Sequence, residues 1–324
     1  MNALERTVRK IDLWQQSHRT SAISFAIIKK FGDDQAGNLV ALLTYYAFIA
    51  TFPLLLALSG ILGLLLKGHP ALQASIQSSA LAEFPIIGSQ LNSQLGIASL
   101  GHSTFALVIG IVGSIFGGRG LANAIQNAAN SVWSVPKMVR PGFPQNFLRS
   151  LSLIVLFGIG TVVTALAASL VGTAHLFGLS GIPIKIFAFA ITIAIDFMLF
   201  FATFRIATAK VIATRDLLLG AVLSSIAWQI LLTFAGVIIS RDLKNAQAVA
   251  GFFGVVLGLL AWFGLQATLT IYAMEADVVR ARHLWPRSIV QPPLTVADKR
   301  YLEDAAKVEQ RRPEVEIELK FDQN

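Results

Sequence analysis

Residues 39–66 read LVALLTYYAFIATFPLLLALSGILGLLL, and this stretch decides the fold. It holds 28 consecutive residues without a charged side chain. An α-helix needs about 20 mostly apolar residues to cross the hydrocarbon core of a bilayer. The stretch therefore predicts a membrane-spanning helix, and Pro53 within it predicts a kink.

Five later stretches are similarly apolar, and their charged residues are Arg119 and Asp196. They cover residues 104–133, 150–178, 186–204, 217–239 and 246–274. Together the six stretches predict an all-α, polytopic membrane protein built as a bundle of six transmembrane helices.

Composition agrees with this class. The 324 residues are 55% hydrophobic and 14% charged, whereas a soluble chain is usually about 25% charged. This apolar content excludes a disordered chain, a coiled coil and a collagen-like fibre. The chain has no cysteine, which excludes disulfides, thiolate metal sites and cysteine nucleophiles.

The basic residues predict the orientation. Of the 26 Lys and Arg residues, 22 fall on the side of the two termini and four on the other side. Cytoplasmic loops are rich in Lys and Arg, so both termini are expected in the cytoplasm and the long 67–103 connection in the periplasm. The net charge of +8 is then a property of these loops, and we expect the lipid bilayer, not nucleic acid, as the partner.

The two ends of the chain differ in pattern. Residues 1–36 carry apolar side chains at helical spacing and predict helices lying on the inner leaflet, with a solvated leader as the alternative. These side chains are Leu4, Val8, Ile11, Ile23, Ile27 and Phe31. Residues 286–324, by contrast, are polar and charged with both signs after Pro292-Pro293, and we expect this tail to be disordered.

The second apolar stretch carries a polar stripe, which has one cation, four amides and no acid. It consists of Arg119, Asn123, Gln126, Asn127 and Asn130. The spacing places all five on one helical face, and we expect this face to point into the bundle. Two interpretations stay open: a substrate-facing surface for an anion or polar headgroup, or amides that join helices while Arg119 snorkels to the interface.

Asp196 lies ten residues into its stretch, near the bilayer midplane. An ionised carboxylate is costly there, so it must be paired, hydrated or protonated. One hypothesis is a proton or ion relay. The other is a structural hydrogen bond or a buried pair with Arg119 or Arg205.

The sequence favours no enzyme class. Its five histidines stand alone, without the spacing of metal ligands. Between Asp34 and Glu275 the acids are Glu83, Asp196, Asp216 and Asp242, and the predicted topology keeps these four apart. We therefore expect no catalytic residue, no metal site and no cofactor.

Several short motifs, in order, resemble the YihY/virulence factor BrkB family. The motifs are Leu43–Tyr46, Pro53–Leu55, Asn130–Trp133, Arg140-Pro141, Arg215–Ala221 with Trp228, and Ala273–Asp277. Family members usually close on Gly-Ala-Glu-x-Asn, and this chain departs from that pattern at Met274 and Asp277.

The resemblance implies a six-helix protein of the bacterial inner membrane, associated with the cell envelope. It also brings an older ribonuclease label, which the scattered acids argue against. The leading hypothesis is a transporter or flippase-like protein for an anion or an anionic amphiphile, because a basic, amide-rich stripe lies beside a midplane acid. The alternative is a non-transporting scaffold of the envelope.

Overall fold

The computed structural model describes residues 3–66, 104–173 and 182–321, together with residues 69, 73, 74 and 76. Eight α-helices lie in this described part of the chain. They are α1 (Ala3–Ser17), α2 (Arg19–Asp33), α3 (Ala36–Leu65), α4 (Thr104–Val132), α5 (Gln145–Thr173), α6 (Ile182–Ala207), α7 (Leu218–Arg282) and α8 (Val296–Lys307). Most of the predicted 67–103 connection lies outside the described residues.

Six helical stretches are long and apolar enough to cross a membrane, which confirms the predicted all-α, six-span fold. They are Ala36–Leu64, Val108–Val132, Gln145–Thr164, Ile186–Ala207, Thr214–Ala235 and Val256–Arg282. Large apolar side chains such as Phe116, Ile159 and Met198 are exposed on their outer faces. Such surfaces are stable against lipid and costly against water.

The last two spans belong to α7, which folds back on itself. The Gly220 N–H donates to Asp277 Oδ1 at 2.6 Å, and the Trp228 and Trp262 rings lie 5.6 Å apart. In a straight helix these pairs would be about 85 Å and 51 Å apart, at 1.5 Å per residue. The two halves of α7 therefore pack antiparallel, and the chain reverses direction between residues 235 and 256.

Helices α3 and α4 approach closely because glycines line their contact. The α4 glycines in this contact are Gly110, Gly113, Gly117 and Gly120. A Cβ on Gly110 would lie 2.5 Å from the Ala57 backbone nitrogen, and one on Gly117 would lie 3.2 Å from the Ala50 Cα. Later residues of α4 thus face earlier residues of α3, so the two helices run antiparallel with their backbones nearly in contact.

The two terminal segments fold together at one end of the bundle, which we call the terminal end. The α2 face of Ile23, Ile27 and Phe31 packs on the protein core, and Phe31 stacks on Tyr272 at 4.2 Å. This face of α2 therefore packs on α7, and the position of the two N-terminal helices on the inner leaflet stays a prediction. On α1, Ile11 remains 52% exposed.

The predicted disorder of the tail is wrong over residues 296–307, which form α8. Thr295 caps this helix: its Oγ1 accepts the Asp298 N–H, and the Asp298 carboxylate accepts the Thr295 N–H. Ala297 and Tyr301 are buried. Charge density suggested a solvated segment, but several of these charges are paired within the protein, as described below.

We expect Gly110→Ala to lower the thermal midpoint of unfolding in detergent. The added methyl group would have to displace the α3 backbone, and overpacking of this kind costs about 1–3 kcal/mol. Gly158→Ala on α5 is the matched control, because a Cβ there meets nothing within 4 Å. Equal losses in the two variants would contradict the close α3–α4 contact.

Candidate functional site

A cavity of about 340 Å³ lies inside the bundle, and all six spans contribute to its wall. The wall is mainly aromatic and aliphatic. Its aromatic side chains are Phe157, Phe200, Phe204, Trp228, Trp262 and Phe263. Asp196, Gln266 and several threonines add polar groups. The cavity is therefore suited to an apolar molecule that also makes a few hydrogen bonds.

Asp196 is buried in this wall, with 4% of the residue exposed. Its carboxylate accepts a hydrogen bond from Gln229 Nε2 on α7. This contact is the structural hydrogen bond given as one alternative; in the described structure neither Arg119 nor Arg205 makes an ion pair with Asp196, and a relay role stays a prediction. Arg205 is nine residues further along α6, about 14 Å away and on the opposite helical face, and its Nη1 donates to the Ile212 carbonyl.

Three amides of the polar stripe, Asn123, Gln126 and Asn130, point into the bundle and form hydrogen bonds with neighbouring groups. Gln126 Nε2 donates to Ser150 Oγ at 3.0 Å and to Asn146 Oδ1 at 3.2 Å. Ser150 Oγ donates to Asn123 Oδ1 at 3.0 Å. These bonds join α4 to the first turns of α5.

Asn130, the last amide of the stripe, holds the end of α6. Its Nδ2 donates to the Ala207 carbonyl at 3.1 Å, and its Oδ1 accepts the Ala209 N–H at 2.9 Å. One amide side chain thus provides hydrogen-bond partners for a carbonyl and an N–H at the end of α6, which would otherwise have none.

The other two members of the stripe, Arg119 and Asn127, are exposed, so the expectation that all five face the bundle interior is wrong. The Arg119 guanidinium lies 5.3 Å from the centre of the Phe147 ring, near the start of α5. Asn127 Oδ1 accepts a hydrogen bond from Arg140 Nη1. No member of the stripe lines the cavity, and a role of the stripe in anion binding stays a prediction.

A buried charge network occupies the terminal end of the bundle. Lys30 is fully buried, and its Nζ lies 2.5 Å from Asp34 Oδ2, 2.8 Å from Glu275 Oε2 and 2.7 Å from the Val132 carbonyl. The Tyr301 hydroxyl donates to Asp34 Oδ1 at 2.8 Å. The network therefore joins α2, α4, α7 and α8.

Arg287 and Asp298 form a second buried pair beside it. Arg287 Nε donates to Asp298 Oδ1 at 2.8 Å, and Arg287 Nη2 donates to Asp33 at 2.9 Å. Lys29 Nζ lies 3.0 Å from Asp298 Oδ1. Both N-terminal helices contribute to this assembly, because Asp12 on α1 accepts the Ile289 N–H.

Hydrogen bonding controls the pKa of Asp298. Burial by itself would raise this pKa, but bonds from the Ser288 N–H, the Arg287 guanidinium and the Ser288 and Thr295 hydroxyls outweigh burial and hold it well below its ordinary value. For Tyr301, burial and the adjacent Asp34 carboxylate raise the pKa. Asp298 is thus a stable anion, and Tyr301 is a neutral hydrogen-bond donor.

Comparison with known proteins places the chain in a family. Residues 27–292 match the family described as Virulence factor BrkB. The chain belongs to the BrkB family. It is 24% identical over 260 residues to "Inner membrane protein YhjD" of Escherichia coli (strain K12), covering 75% of this chain and 76% of that protein. An uncharacterised protein of Dickeya dadantii (strain 3937) is 23% identical over 259 residues, covering 75% of this chain and 78% of that protein. No solved structure matches significantly.

In this BrkB family member the closing motif contributes to the fold. Glu275 pairs with Lys30. Asp277 accepts the Gly220 N–H in the first turn of α7, where the helix dipole favours an acid. Asp277, near the end of the second half of α7, is therefore stabilised by the beginning of the first half, which packs antiparallel to it.

Sequence reasoning missed the importance of Lys30, Gln229 and Asp298. The four-residue spacing of Lys30 and Asp34 was a usable signal, because such pairs meet on a helix. No local signal linked Gln229 to Asp196 or Asp298 to Arg287. In the described part of the chain, no group of three His, Asp or Glu residues is arranged to hold a metal ion.

We expect Asp298→Asn to loosen the tail. The change leaves the buried Arg287 guanidinium with one fewer counter-charge, and breaking a buried pair costs about 3–5 kcal/mol. Faster amide hydrogen exchange in α8 would report the loss. Glu303→Gln is the control, because Glu303 is exposed on the same helix. Exchange that is equal in the two variants would contradict the role given to Asp298.

The same carboxylate predicts a pH dependence. Its pKa is lower in the folded protein than in the unfolded chain, so its contribution to stability is fully present above the ordinary Asp pKa of about 4. The contribution is lost as the pH falls through the folded-state pKa. The difference in α8 exchange between the wild type and Asp298→Asn should be constant between about pH 8 and 5 and should shrink in strong acid.

Proposed function

We propose that this BrkB family member binds an amphiphilic molecule in its membrane cavity and moves it across the bilayer. The cavity carries the proposal: it lies between all six spans and has a mostly apolar wall. Its volume of about 340 Å³ falls within the range of about 300–1,000 Å³ that is usual for ligand pockets. Scattered hydroxyl and amide groups would allow a polar group to pass.

The charge of the wall limits which part of the amphiphile it accepts. Asp196 is the acid in the wall, and no Lys or Arg accompanies it among the lining residues described. An anionic headgroup is repelled by an ionised carboxylate. We therefore assign the cavity to the apolar chains and to hydrogen-bond donors, and an anionic headgroup has to be bound elsewhere.

The alternative is an envelope scaffold that transports nothing. The paired charge network at the terminal end favours it, because such a network suits a rigid platform for other proteins. The two functions differ in whether the cavity has to be open. A substitution that obstructs the cavity therefore separates them.

Orientation belongs to the same proposal. With 22 of 26 basic residues on the side of the termini, both termini are placed in the cytoplasm. Reporter fusions after residues 140, 212 and 300 should give cytoplasmic signals, and fusions after 85 and 242 should give periplasmic signals. A cytoplasmic signal at residue 85 would contradict this orientation.

We expect Thr161→Phe to abolish transport. Thr161 lines the cavity, and a phenyl ring there would obstruct it. The assay is transfer of a fluorescent, acyl-labelled phosphatidylglycerol between the leaflets of proteoliposomes, followed by quenching of the outer-leaflet label. Transfer should fall to the level of protein-free vesicles.

Ile159→Phe is the matched control, because Ile159 lies two residues away on α5 and is 59% exposed on the outer face. This variant should transport at the wild-type rate. A wild-type protein without transfer, or a Thr161→Phe variant with full transfer, would favour the scaffold.

A further inference from the structure

Two arginines meet where α5 begins and α6 ends. Arg149 Nη1 donates to the Thr208 carbonyl at 3.1 Å, and Arg205 Nη1 donates to the Ile212 carbonyl at 3.5 Å. Both side chains are half-buried. Thr208, whose carbonyl Arg149 binds, is three residues after Arg205, about one helical turn away, so the two positive charges lie near each other and repel. Carbonyl oxygens alone do not neutralise two adjacent cations.

A third guanidinium lies at the same end of α5. Arg119 reaches from α4 to the Phe147 ring, at 5.3 Å. Phe147 belongs to the first turn of α5, where the helix dipole is positive. Phe147 lies two residues before Arg149, so three cations and a positive helix end lie near the start of α5.

These arginines differ from the cations of the charge network. Lys30 and Arg287 in that network each bind at least one carboxylate, and Arg282 binds Asp304 on α8. In the described structure Arg119, Arg149 and Arg205 have no carboxylate partner, only carbonyl oxygens or an aromatic ring. Like charges held together without an acid are destabilising unless an anion joins them.

We propose that Arg149 and Arg205 bind the phosphate group of an anionic amphiphile, and that the positive charge of Arg119 near the start of α5 adds to the attraction. Guanidinium groups bind phosphate through paired N–H donors and keep their charge in a half-buried site. The inference deepens the proposed function and rests on it for one point, that the bound molecule is the one whose chains enter the cavity.

The position of Arg149 on α5 supports that link. At 100° per residue, Arg149 lies on the same face as Gly160 and Thr164, which line the cavity. Phe157, also in the cavity wall, is eight residues further along, about 12 Å from Arg149. A phosphate at Arg149 would thus leave the attached chains directed along the face that leads to the cavity.

The test is equilibrium binding of dioctanoyl phosphatidic acid to the purified full-length protein in detergent, measured by calorimetry. Changing both Arg149→Gln and Arg205→Gln should weaken binding about tenfold or more, because two charge-assisted hydrogen bonds are lost. Dioctanoylglycerol has the same chains without phosphate, and its binding should be the same in the variant and the wild type.

Lys210→Gln is the matched control, because Lys210 is an exposed cation in the connection between α6 and α7, which also contains Thr208 and Ile212. It should bind phosphatidic acid like the wild type. Equal losses in Lys210→Gln and the double variant would mean that diffuse surface charge binds the lipid, and would overturn the proposal. Unchanged binding in the double variant would also overturn it.

Two further arms complete the design. Changing Arg149→Lys and Arg205→Lys keeps both charges, so this variant should fold and bind more tightly than the glutamine variant. Inorganic phosphate, as competitor, distinguishes the sources: displacement of the lipid at millimolar concentration identifies free phosphate as a ligand, and no displacement identifies the lipid headgroup. Binding is measured here without transfer, so a wild-type protein that binds phosphatidic acid through these arginines but moves no lipid between leaflets would support this site and contradict the transport function.

Discussion

The fully buried ammonium group of Lys30 is the interaction on which the rest of the structure depends. A charge removed from water must be surrounded by acceptors, because the penalty for burying it alone is several kcal/mol even after relaxation. Lys30 finds Asp34 at the start of α3, Glu275 near the end of α7 and the Val132 carbonyl at the end of α4. Because one ammonium group contacts all three acceptors, the ends of three spans are held together at one point. The tail then closes over the site, since Tyr301 binds Asp34.

The cavity begins directly beside this rigid end. Met274 lines the cavity, and the next residue, Glu275, binds Lys30. Separating these partners would leave charges buried without a counter-charge, at about 3–5 kcal/mol for each broken pair. Shape changes that admit a ligand are therefore expected where the structure depends on apolar contacts, away from the terminal end. The close α3–α4 contact keeps these two helices in the same relative position further along the bundle. Their backbones nearly touch at the glycine face, so neither helix has space to shift past the other.

The membrane-spanning fold was predictable because its signal is local. An uncharged stretch such as residues 39–66 must span a bilayer or be buried, whatever its neighbours are. The same search for uncharged stretches also predicted the number and the order of the six spans. The disordered tail was predicted wrongly for the opposite reason. Asp298 binds Lys29, which lies 269 residues away, and composition cannot distinguish a charge facing water from one paired across the whole chain.

The polar stripe shows where periodicity stops being informative. Helical spacing gives the angle of each side chain around α4, and by that measure Arg119 and Asn130 are only about 20° apart. Asn130 is nevertheless buried and Arg119 exposed. At the height of Asn130 the residues that follow α6 cover the face, whereas Arg119 lies beside Phe147 of α5 and stays exposed. What lies opposite a residue depends on where neighbouring helices end, and those ends are set by long-range contacts such as Lys30 with Glu275. The sequence therefore predicted the amides as a group, but their separate partners had to come from the assembled bundle.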